Sequence, residues 1–363
     1  MIKTASSKNT DTVSAFKEIA KAFEGMSPSL VIVFFSSRHP AQLLAKLTQS
    51  TWPQAHNLGC STSGEIISGE MTDGTIVAMA IDATTAPTVQ MVVVNDIGNP
   101  AQLDAACQSL GNILSADMDK NVGIVLMDGL SGQEERFLDR LGNKTDLRFI
   151  GGSAGDDLAF KATSVFSDGV AHSNAAVLAV LQVPAGFRVI KTQSFCRTGI
   201  KLTPTEVDSD KREVIQFDNK PASQAYMQAV GVESLEEAAS KFMSNPVGLM
   251  SGDEPYVRSP QTFIGSALKF YCSVSPNIEL ELLKSTDIIA DTRKALADAN
   301  VDGKVAAILN FNCILRTLEL KSMNKTSEYA SLFNVPTIGF STYGEADIGH
   351  INQTATMIAF LSS

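Results

Sequence analysis

The residues whose types and spacing could do chemistry are concentrated near the end of the chain, in residues 339–356, GFSTYGEADIGHINQTAT. The stretch holds a glycine-rich turn, a tyrosine, a carboxylate and His350, which is one of four histidines. If the stretch continues as a strand, alternation places His350, Asn352 and Thr354 on one face. Buried polar groups need partners, so this stripe must face either water or something bound. The stretch is therefore the first candidate for a binding site.

A second candidate lies where a strand is expected to give way to a helix, at Cys313 and Arg316. Backbone N–H groups point outward at a helix start and favour an anion. Arg316 follows Cys313 by about one turn and lies on the same helix face. The pair could hold a carboxylate or a propionate. The alternative is a buried cysteine beside a surface arginine that pairs with Glu319 or Glu345.

His350 could ligate an iron atom through one ring nitrogen while a carbonyl or carboxylate holds the other. The alternative is a structural histidine, which is commoner for a lone histidine on a strand. His39, His56 and His172 are typical of loops or strand edges. Two enzyme classes are disfavoured, because the sequence has no HExxH and no phosphate-binding GxxxxGK[ST].

The motif G-x-S-T-x-G-E occurs twice, as GCSTSGE at Gly59 and as GFSTYGE at Gly339. GGSAGDD at Gly151 is a looser third copy. Each copy follows an apolar strand, a helical stretch and a return strand. This preceding segment spans about thirty residues, the length of one strand–helix–strand crossover. The repetition predicts duplicated units inside domains. We expect acidic residues such as Glu65 to cap the turn's own N–H groups, and only Glu345 is predicted to be functional.

Composition limits the classes of function. The chain has 363 residues, a net charge of −10, 44% hydrophobic residues and 19% charged residues. These values are typical of a globular protein and make nucleic acid or an anionic membrane a poor partner. The five cysteines are scattered singly, which favours a reducing compartment. Because no signal peptide or membrane-spanning run is recognisable, we expect a cytoplasmic protein without membrane insertion.

The element pattern predicts a mixed α/β fold, with mixed sheets flanked by helices. The length allows two domains. Composition changes after Cys196, and residues 201–212 are polar and charged. The sequence therefore predicts a first domain over residues 1–198 and a second over residues 199–363.

Taken together, these motifs resemble those of the FIST sensory proteins, which combine an amino-terminal and a carboxy-terminal FIST domain. The resemblance covers nearly the whole chain. It rests on six motifs in one order: GCSTSGE at Gly59, GGSAGDD at Gly151, VFSDG at Val165, DNKPASQAY at Asp218, FNCILR at Phe311 and GFSTYGE at Gly339 with NQTAT at Asn352. The wording of FNCILR and GHINQT is similar to the NosP branch of that family.

The resemblance implies a sensory protein without catalytic turnover. It implies heme as cofactor, with His350 as proximal iron ligand, and nitric oxide as signal. It also implies a partner histidine kinase or cyclic-di-GMP enzyme, that is, a diguanylate cyclase or phosphodiesterase. A second hypothesis is a small metabolite such as an amino acid, held by Arg316, Tyr343, Glu345 and Asn352.

Two further hypotheses stay open. One is an enzyme that uses Cys313 as its nucleophile. The other is an interaction scaffold with no ligand, as for FIST domains fused to F-box modules.

Overall fold

The computed structural model describes residues 1–252, 254–347 and 349–362 and confirms a mixed α/β protein. The chain forms two compact units. The first contains Met1–Thr192, Thr292–His350 and Ala355–Ser363, and the second contains Gln193–Asp291 and Ile351–Thr354. The predicted boundary after residue 198 stays a prediction.

The first unit is built from three copies of one element order: strand, helix, strand, helix, strand, hairpin, strand. Repeat one contains β1 (Ile2–Ser7), α1 (Thr12–Ala22), β2 (Pro28–Ser36), α2 (Ala41–Thr51), β3 (His56–Thr62), β4 (Glu65–Ile67), β5 (Glu70–Thr72) and β6 (Ile76–Asp82). Repeat two contains β7 (Thr88–Val94), α3 (Pro100–Leu110), a 3₁₀ turn (Gly111–Ser115), β8 (Asn121–Met127), α4 (Glu134–Gly142), β9 (Phe149–Ser153), β10 (Val165–Ser167), β11 (Val170–His172) and β12 (Ala176–Gln182).

Repeat three is interrupted in sequence by most of the second unit. It begins with β13 (Phe187–Gln193). The chain then forms β14 (Phe195–Leu202), β15 (Pro204–Asp208), β16 (Glu213–Phe217), β17 (Lys220–Pro221), α5 (Ala222–Val230), α6 (Leu235–Ser240), β18 (Val247–Ser251), β19 (Glu254–Arg258), β20 (Pro260–Ile264), β21 (Ala267–Phe270) and β22 (Leu280–Ser285). Repeat three resumes with α7 (Ile288–Ala299), β23 (Val305–Cys313), α8 (Ile314–Ser322), α9 (Thr326–Ala330), β24 (Thr337–Thr342), β25 (Glu345–Asp347), β26 (His350–Ile351) and β27 (Thr354–Leu361).

Each repeat supplies most of one six-stranded sheet, and the three sheets share one plan. Sheet I has the order β1-β6-β2-β3-β10-β11, sheet II β7-β12-β8-β9-β25-β26, and sheet III β13-β27-β23-β24-β4-β5. The central pair of each sheet is parallel: β2 with β3, β8 with β9, and β23 with β24. These pairs are the predicted strand–helix–strand units, and a crossover helix joins each pair because parallel neighbours cannot be joined by a tight turn.

The hairpin that follows each motif joins the sheet of another repeat. β4 of repeat one pairs with β24 in sheet III, β25 of repeat three pairs with β9 in sheet II, and β10 of repeat two pairs with β3 in sheet I. The exchange is therefore cyclic, and each repeat both gives a hairpin and receives one. The hairpin of repeat two, β10–β11, turns at Asp168 and Gly169.

The hydrophobic core of the first unit lies between the inner faces of the three sheets. One contiguous cluster takes alternate residues from the central strands, among them Phe34, Leu126, Phe311 and Phe340. Helices cover the outer faces: α1 and α2 pack on sheet I, and α3 and α4 on sheet II. Successive residues of a strand point to opposite faces of the sheet. Because both faces of the central strands are buried, both faces carry apolar residues.

The last part of the chain differs from its prediction as one continuous strand. β26 ends at Ile351, Gln353 adopts a left-handed φ of 53°, and β27 begins at Thr354. The polar stripe is therefore divided between two strands, and both faces of the segment are buried. The expected division into a polar face and an apolar face was wrong, because a turn residue separates the two halves.

The second unit has its own core and two antiparallel sheets. Their orders are β14-β22-β18-β19 and β15-β16-β21-β20. Its core includes Phe217, Tyr226, Leu268 and Phe270. Within this unit, Gln353 accepts a hydrogen bond from Ser259 at 2.7 Å and donates to the Met243 carbonyl at 2.8 Å.

Candidate functional site

The three motifs meet at the carboxyl ends of the central parallel strands, and we call this meeting point the motif junction (residues 61–64, 153–157 and 341–344). The Ser63 amide donates to the Ser341 carbonyl at 3.2 Å, and the Ser341 amide donates to the Gly64 carbonyl at 2.8 Å. The Ser153 amide donates to Gly344 and the Gly155 amide to Ser61, each at 2.9 Å. Each motif therefore binds both others through its backbone.

The first glycine of each motif is required by the neighbouring strand. A Cβ built on Gly59 would lie 2.1 Å from the Val33 carbonyl oxygen, and one on Gly151 would lie 1.7 Å from that of Val125. On Gly339 the distance to the Asn310 carbonyl oxygen would be 2.1 Å. No side chain fits at such distances, so the repeated glycine permits close approach of two strand backbones.

A layer of buried polar residues separates sheet III from its helices, and we call it the polar layer (Thr292, Asn310, Asn312, Arg316, Thr317, Tyr329 and Ser341). The Arg316 guanidinium donates to Asn312 Oδ1 through Nε and to Thr292 Oγ1 through Nη2, each at 3.1 Å. Asn312 Nδ2 donates to Thr317 Oγ1 at 2.9 Å, and the Tyr329 hydroxyl donates to Asn312 Oδ1 at 3.2 Å. Asn312 is the centre of this network.

The polar layer breaks the resemblance between the repeats. In the pairing registers, Asn310 and Asn312 of β23 occupy the places of Val33 and Phe35 in β2. The corresponding residues of β8 are Val125 and Met127, and all four lie in apolar clusters beneath helices. The buried layer beneath the helices is therefore apolar in repeats one and two and polar in repeat three. The signal was visible in the sequence as polar residues at alternate positions of an otherwise buried strand.

Cys313 and Arg316 lie where they were predicted, at the end of β23 and in the first turn of α8. Arg316 is 1% exposed, so the alternative of a surface arginine was wrong. The charge of Arg316 opposes the effect of burial, which raises the pKa of Glu319 and of Tyr329.

Glu345 and His350 lie on the hairpin β25–β26, and Glu345 is close enough to the polar layer for its charge to act on Tyr329. Glu345 is fully buried opposite Gly152 in sheet II, and its charge adds to the burial that raises the pKa of Tyr329. The His350 ring packs on the Gly344 turn, since a Cβ built on Gly344 would lie 2.0 Å from His350 Nε2. Asn352 belongs to the second unit.

Tyr343 belongs to the motif junction. Its hydroxyl donates to Asp156 Oδ1 at 2.5 Å, and its ring stacks on Phe160 with centroids 5.0 Å apart. Burial and the Asp156 hydrogen bond raise the pKa of Tyr343 to about 12. Burial would raise the pKa of Asp156, but hydrogen bonds from Tyr343 and from backbone amides outweigh it and lower that pKa.

Glu65 lies in a buried environment that its sequence context does not predict. Its carboxylate is fully buried and accepts hydrogen bonds from Thr62 Oγ1, from the Thr75 amide at 2.9 Å and from Thr75 Oγ1 at 2.6 Å. Burial raises the pKa of Glu65 to about 7, against these hydrogen bonds. The available signal was its place in the motif, which is the same as that of Glu345.

The predicted heme makes two geometric demands on this site. Heme iron needs a histidine nitrogen with open space before it, and the macrocycle needs a slot beside it. The Gly344 backbone covers His350 Nε2, and Arg316, expected at the propionates, is buried within the polar layer. In this arrangement these residues do not fit a heme. Across the described residues, no cluster of three or more metal-ligating side chains forms, and no helix is long and apolar enough to cross a membrane.

Two models of known domain families match this chain. A search of curated proteins found no match. The model of the FIST N domain matches residues 29–220, which span most of repeats one and two, and that of the FIST C domain matches residues 222–346. FIST domains are generally sensory ligand-binding domains of signalling proteins. With its three motifs interlocked at one junction and both domain models matched in order, this chain belongs to the FIST family.

Proposed function

We propose that this chain is the ligand-responsive part of a signalling system and that the polar layer of repeat three is its recognition element. The observation that carries the proposal is the buried guanidinium of Arg316, in a layer whose counterparts in repeats one and two are apolar. Burying a charge is costly, so a buried arginine is a weak device for stability. Positions where one repeat departs from the common pattern are where function is expected.

The ligand class follows from the charges at the polar layer. The forked guanidinium of Arg316 matches a carboxylate, and the nearby Glu345 carboxylate matches an ammonium group. Together they favour a small zwitterion such as an amino acid. Since Arg316 already has neutral partners in Asn312 and Thr292, a ligand must replace those hydrogen bonds. Binding then requires rearrangement of the layer, and a ligand that prefers the rearranged state shifts the population toward it.

The readout of that rearrangement is proposed to be a partner histidine kinase, diguanylate cyclase or phosphodiesterase. β25 leads directly from the motif junction, and its residue Glu345 lies beside the polar layer. A change in the layer therefore acts on the junction that joins all three sheets. Heme, nitric oxide and a cytoplasmic location remain predictions from the family resemblance.

The test is a thermal-shift screen of amino acids and small carboxylates. Arg316→Lys keeps the charge but loses the forked geometry, so a true ligand should lose about tenfold or more in apparent affinity. Arg293→Lys is the matched control, because Arg293 is an exposed residue of α7. A ligand that raises the melting temperature of both variants equally would place recognition outside the polar layer.

An absorption spectrum with added hemin tests the heme hypothesis separately. Saturable binding with a sharp Soret band that shifts with nitric oxide would replace the metabolite proposal by the heme sensor. A flat spectrum together with a positive thermal shift would support the metabolite sensor. Circular dichroism of Arg316→Lys and Arg293→Lys shows whether both variants are folded.

A further inference from the structure

A cavity of about 290 Å³ lies in repeat one, at the carboxyl end of β2. Two cationic side chains, Lys8 and Arg38, line it together with the threonines Thr10, Thr72 and Thr75. Guanidinium and ammonium groups are donors that proteins use for carboxylate and phosphoryl oxygens, whereas the Thr75 hydroxyl proton is already donated to Glu65. The lining therefore has the chemistry of an oxyanion site.

The Arg38 guanidinium is the group whose N–H donors can bind an anion in this cavity. It lies across Gly74, where an added Cβ would meet Nη1 at 2.8 Å, so the glycine makes room for it. Gly74 has a φ of +77°, which a residue with a side chain rarely adopts. Over the residues that the structure describes, the Arg38 side chain makes no hydrogen bond or ion pair, and only its backbone amide is bonded, to Ser36 Oγ.

The two carboxylates at the same cavity are already neutralised. Glu70 pairs with Lys8 at 2.5 Å, and Asp73 pairs with Lys321 at 2.8 Å. Burial lowers the pKa of the neighbouring His39, which favours the neutral form of this histidine. The remaining positive charge at the cavity belongs to Arg38.

We infer that this cavity binds a small oxyanion, the carboxylate or phosphoryl group of a metabolite, with Arg38 as its main ligand. The site lies in repeat one, whereas the proposed recognition element lies in repeat three, so the inference goes beyond the proposed function and does not depend on it. Its volume suits a small ion or the end of a small molecule.

The wall of the cavity connects the bound anion to Glu65. Thr72 Oγ1 lies 2.7 Å from Thr75 Oγ1, and Thr75 donates twice to the Glu65 carboxylate behind it. An anion at this wall adds a negative charge near that carboxylate, so it binds better when Glu65 is protonated. The nearby carboxylate of Asp157 acts in the same direction on Glu65. Affinity is therefore linked to the protonation of Glu65, whose pKa is about 7, and rises as the pH falls through that value.

The experiment is calorimetric titration of the full chain with sulfate and, separately, with acetate. Both ions keep their charge between pH 6.5 and 8.5, so any pH dependence comes from the protein. We expect saturable binding that Arg38→Met weakens by about tenfold or more. Lys46→Met is the matched control, because Lys46 is an exposed cation on α2 away from the cavity and its loss changes the net charge equally.

Binding of sulfate alone would identify a phosphoryl-type ligand, and binding of acetate alone a carboxylate. If neither anion binds saturably, or if Arg38→Met and Lys46→Met bind equally, the inference is wrong. The link to Glu65 has its own readout. Affinity should be about threefold or more tighter at pH 6.5 than at pH 8.5, and Glu65→Gln should remove the difference. A Glu65→Gln protein that is folded by circular dichroism and keeps the pH dependence would disprove the link.

Discussion

The first glycine of each motif shows how one residue type can be fixed by a backbone rather than by a site. The sequence shows that Gly59, Gly151 and Gly339 recur after a return strand, and it suggests a turn as their purpose. The structure gives another reason, which is the carbonyl oxygen of the neighbouring parallel strand. Sequence reasoning could not find this, because the partner carbonyl belongs to a residue about thirty positions earlier in the chain.

Replacing Gly339 by Ala should destabilise the protein by about 2–4 kcal/mol, because the new methyl group would force β23 and β24 apart. Gly142→Ala is the matched control, since a Cβ there would meet nothing within 4 Å at the end of α4. Urea unfolding of both variants measures the difference. Equal stability of the two would mean that sheet III accommodates the methyl group without cost.

Glu65 shows a residue whose interpretation changes with its surroundings. A capping role was expected, and the carboxylate does accept hydrogen bonds from Thr75, but it is fully buried. A buried carboxyl group near an ordinary hydrogen-bonded turn cannot be told from an exposed one by sequence alone. Burial depends on the strands that cover it, and these come from different repeats.

Glu65 should make the stability of the chain fall with rising pH. Its pKa is about 7 in the folded state against an ordinary value of 4.5, so the folded state binds the proton more tightly. The stabilisation is present below pH 4.5 and is lost as the pH rises to about 7, with an amplitude on the order of 3 kcal/mol. Urea unfolding between pH 4 and 8 measures it.

Glu65→Gln should remove that part of the pH dependence, since the amide is neutral throughout and can still accept from Thr75. Asp73→Asn is a suitable control, because it removes the same charge as Glu65→Gln from an exposed position. An unchanged pH profile in Glu65→Gln would show that other groups cause the dependence.

At the scale of elements, local signals predicted the units well and their partners poorly. Crossover helices such as α2 and hairpins such as β10–β11 follow from apolar periodicity and from turn residues. Nothing in β4, Glu65–Ile67, indicates that it pairs with β24 rather than with a strand of its own repeat. The choice of sheet is decided by how three repeats fit together, which is a property of no single segment.

The polar layer was also predicted only in part. The six candidate residues were chosen because their types are rare and close in sequence. Arg316 was found in this way, but its partner Asn312 was not, since it looked like one more residue of a buried strand. Comparing the three repeats position by position would have found it, because Phe35 and Met127 occupy the same place.

At the scale of the whole molecule, the cyclic exchange makes the three repeats depend on one another. A fragment of residues 1–183 contains repeats one and two but lacks β24 and β25. The hairpin β4–β5 then has no sheet to join, and β9 keeps an open edge. Exposed edges of this kind favour aggregation rather than folding.

We therefore expect the fragment to show no cooperative thermal transition, although it contains most of the matched FIST N domain. Co-expression with residues 184–363 should restore a folded complex, which is the control for damage by truncation itself. The measurement is differential scanning calorimetry of the fragment, the complex and the full chain. A sharp transition of the fragment alone, near that of the full chain, would contradict the interdependence.

The cyclic exchange also has a consequence for the newly made chain in the cell. The hairpin β4–β5 leaves the ribosome early, but its pairing strand β24 ends at Thr342. At about 5–20 residues per second, translation needs roughly 15–50 s to deliver that strand. During this interval the nascent chain carries unpaired strand edges, so its yield should depend on chaperones that shield such edges and on the rate at which the last third is translated.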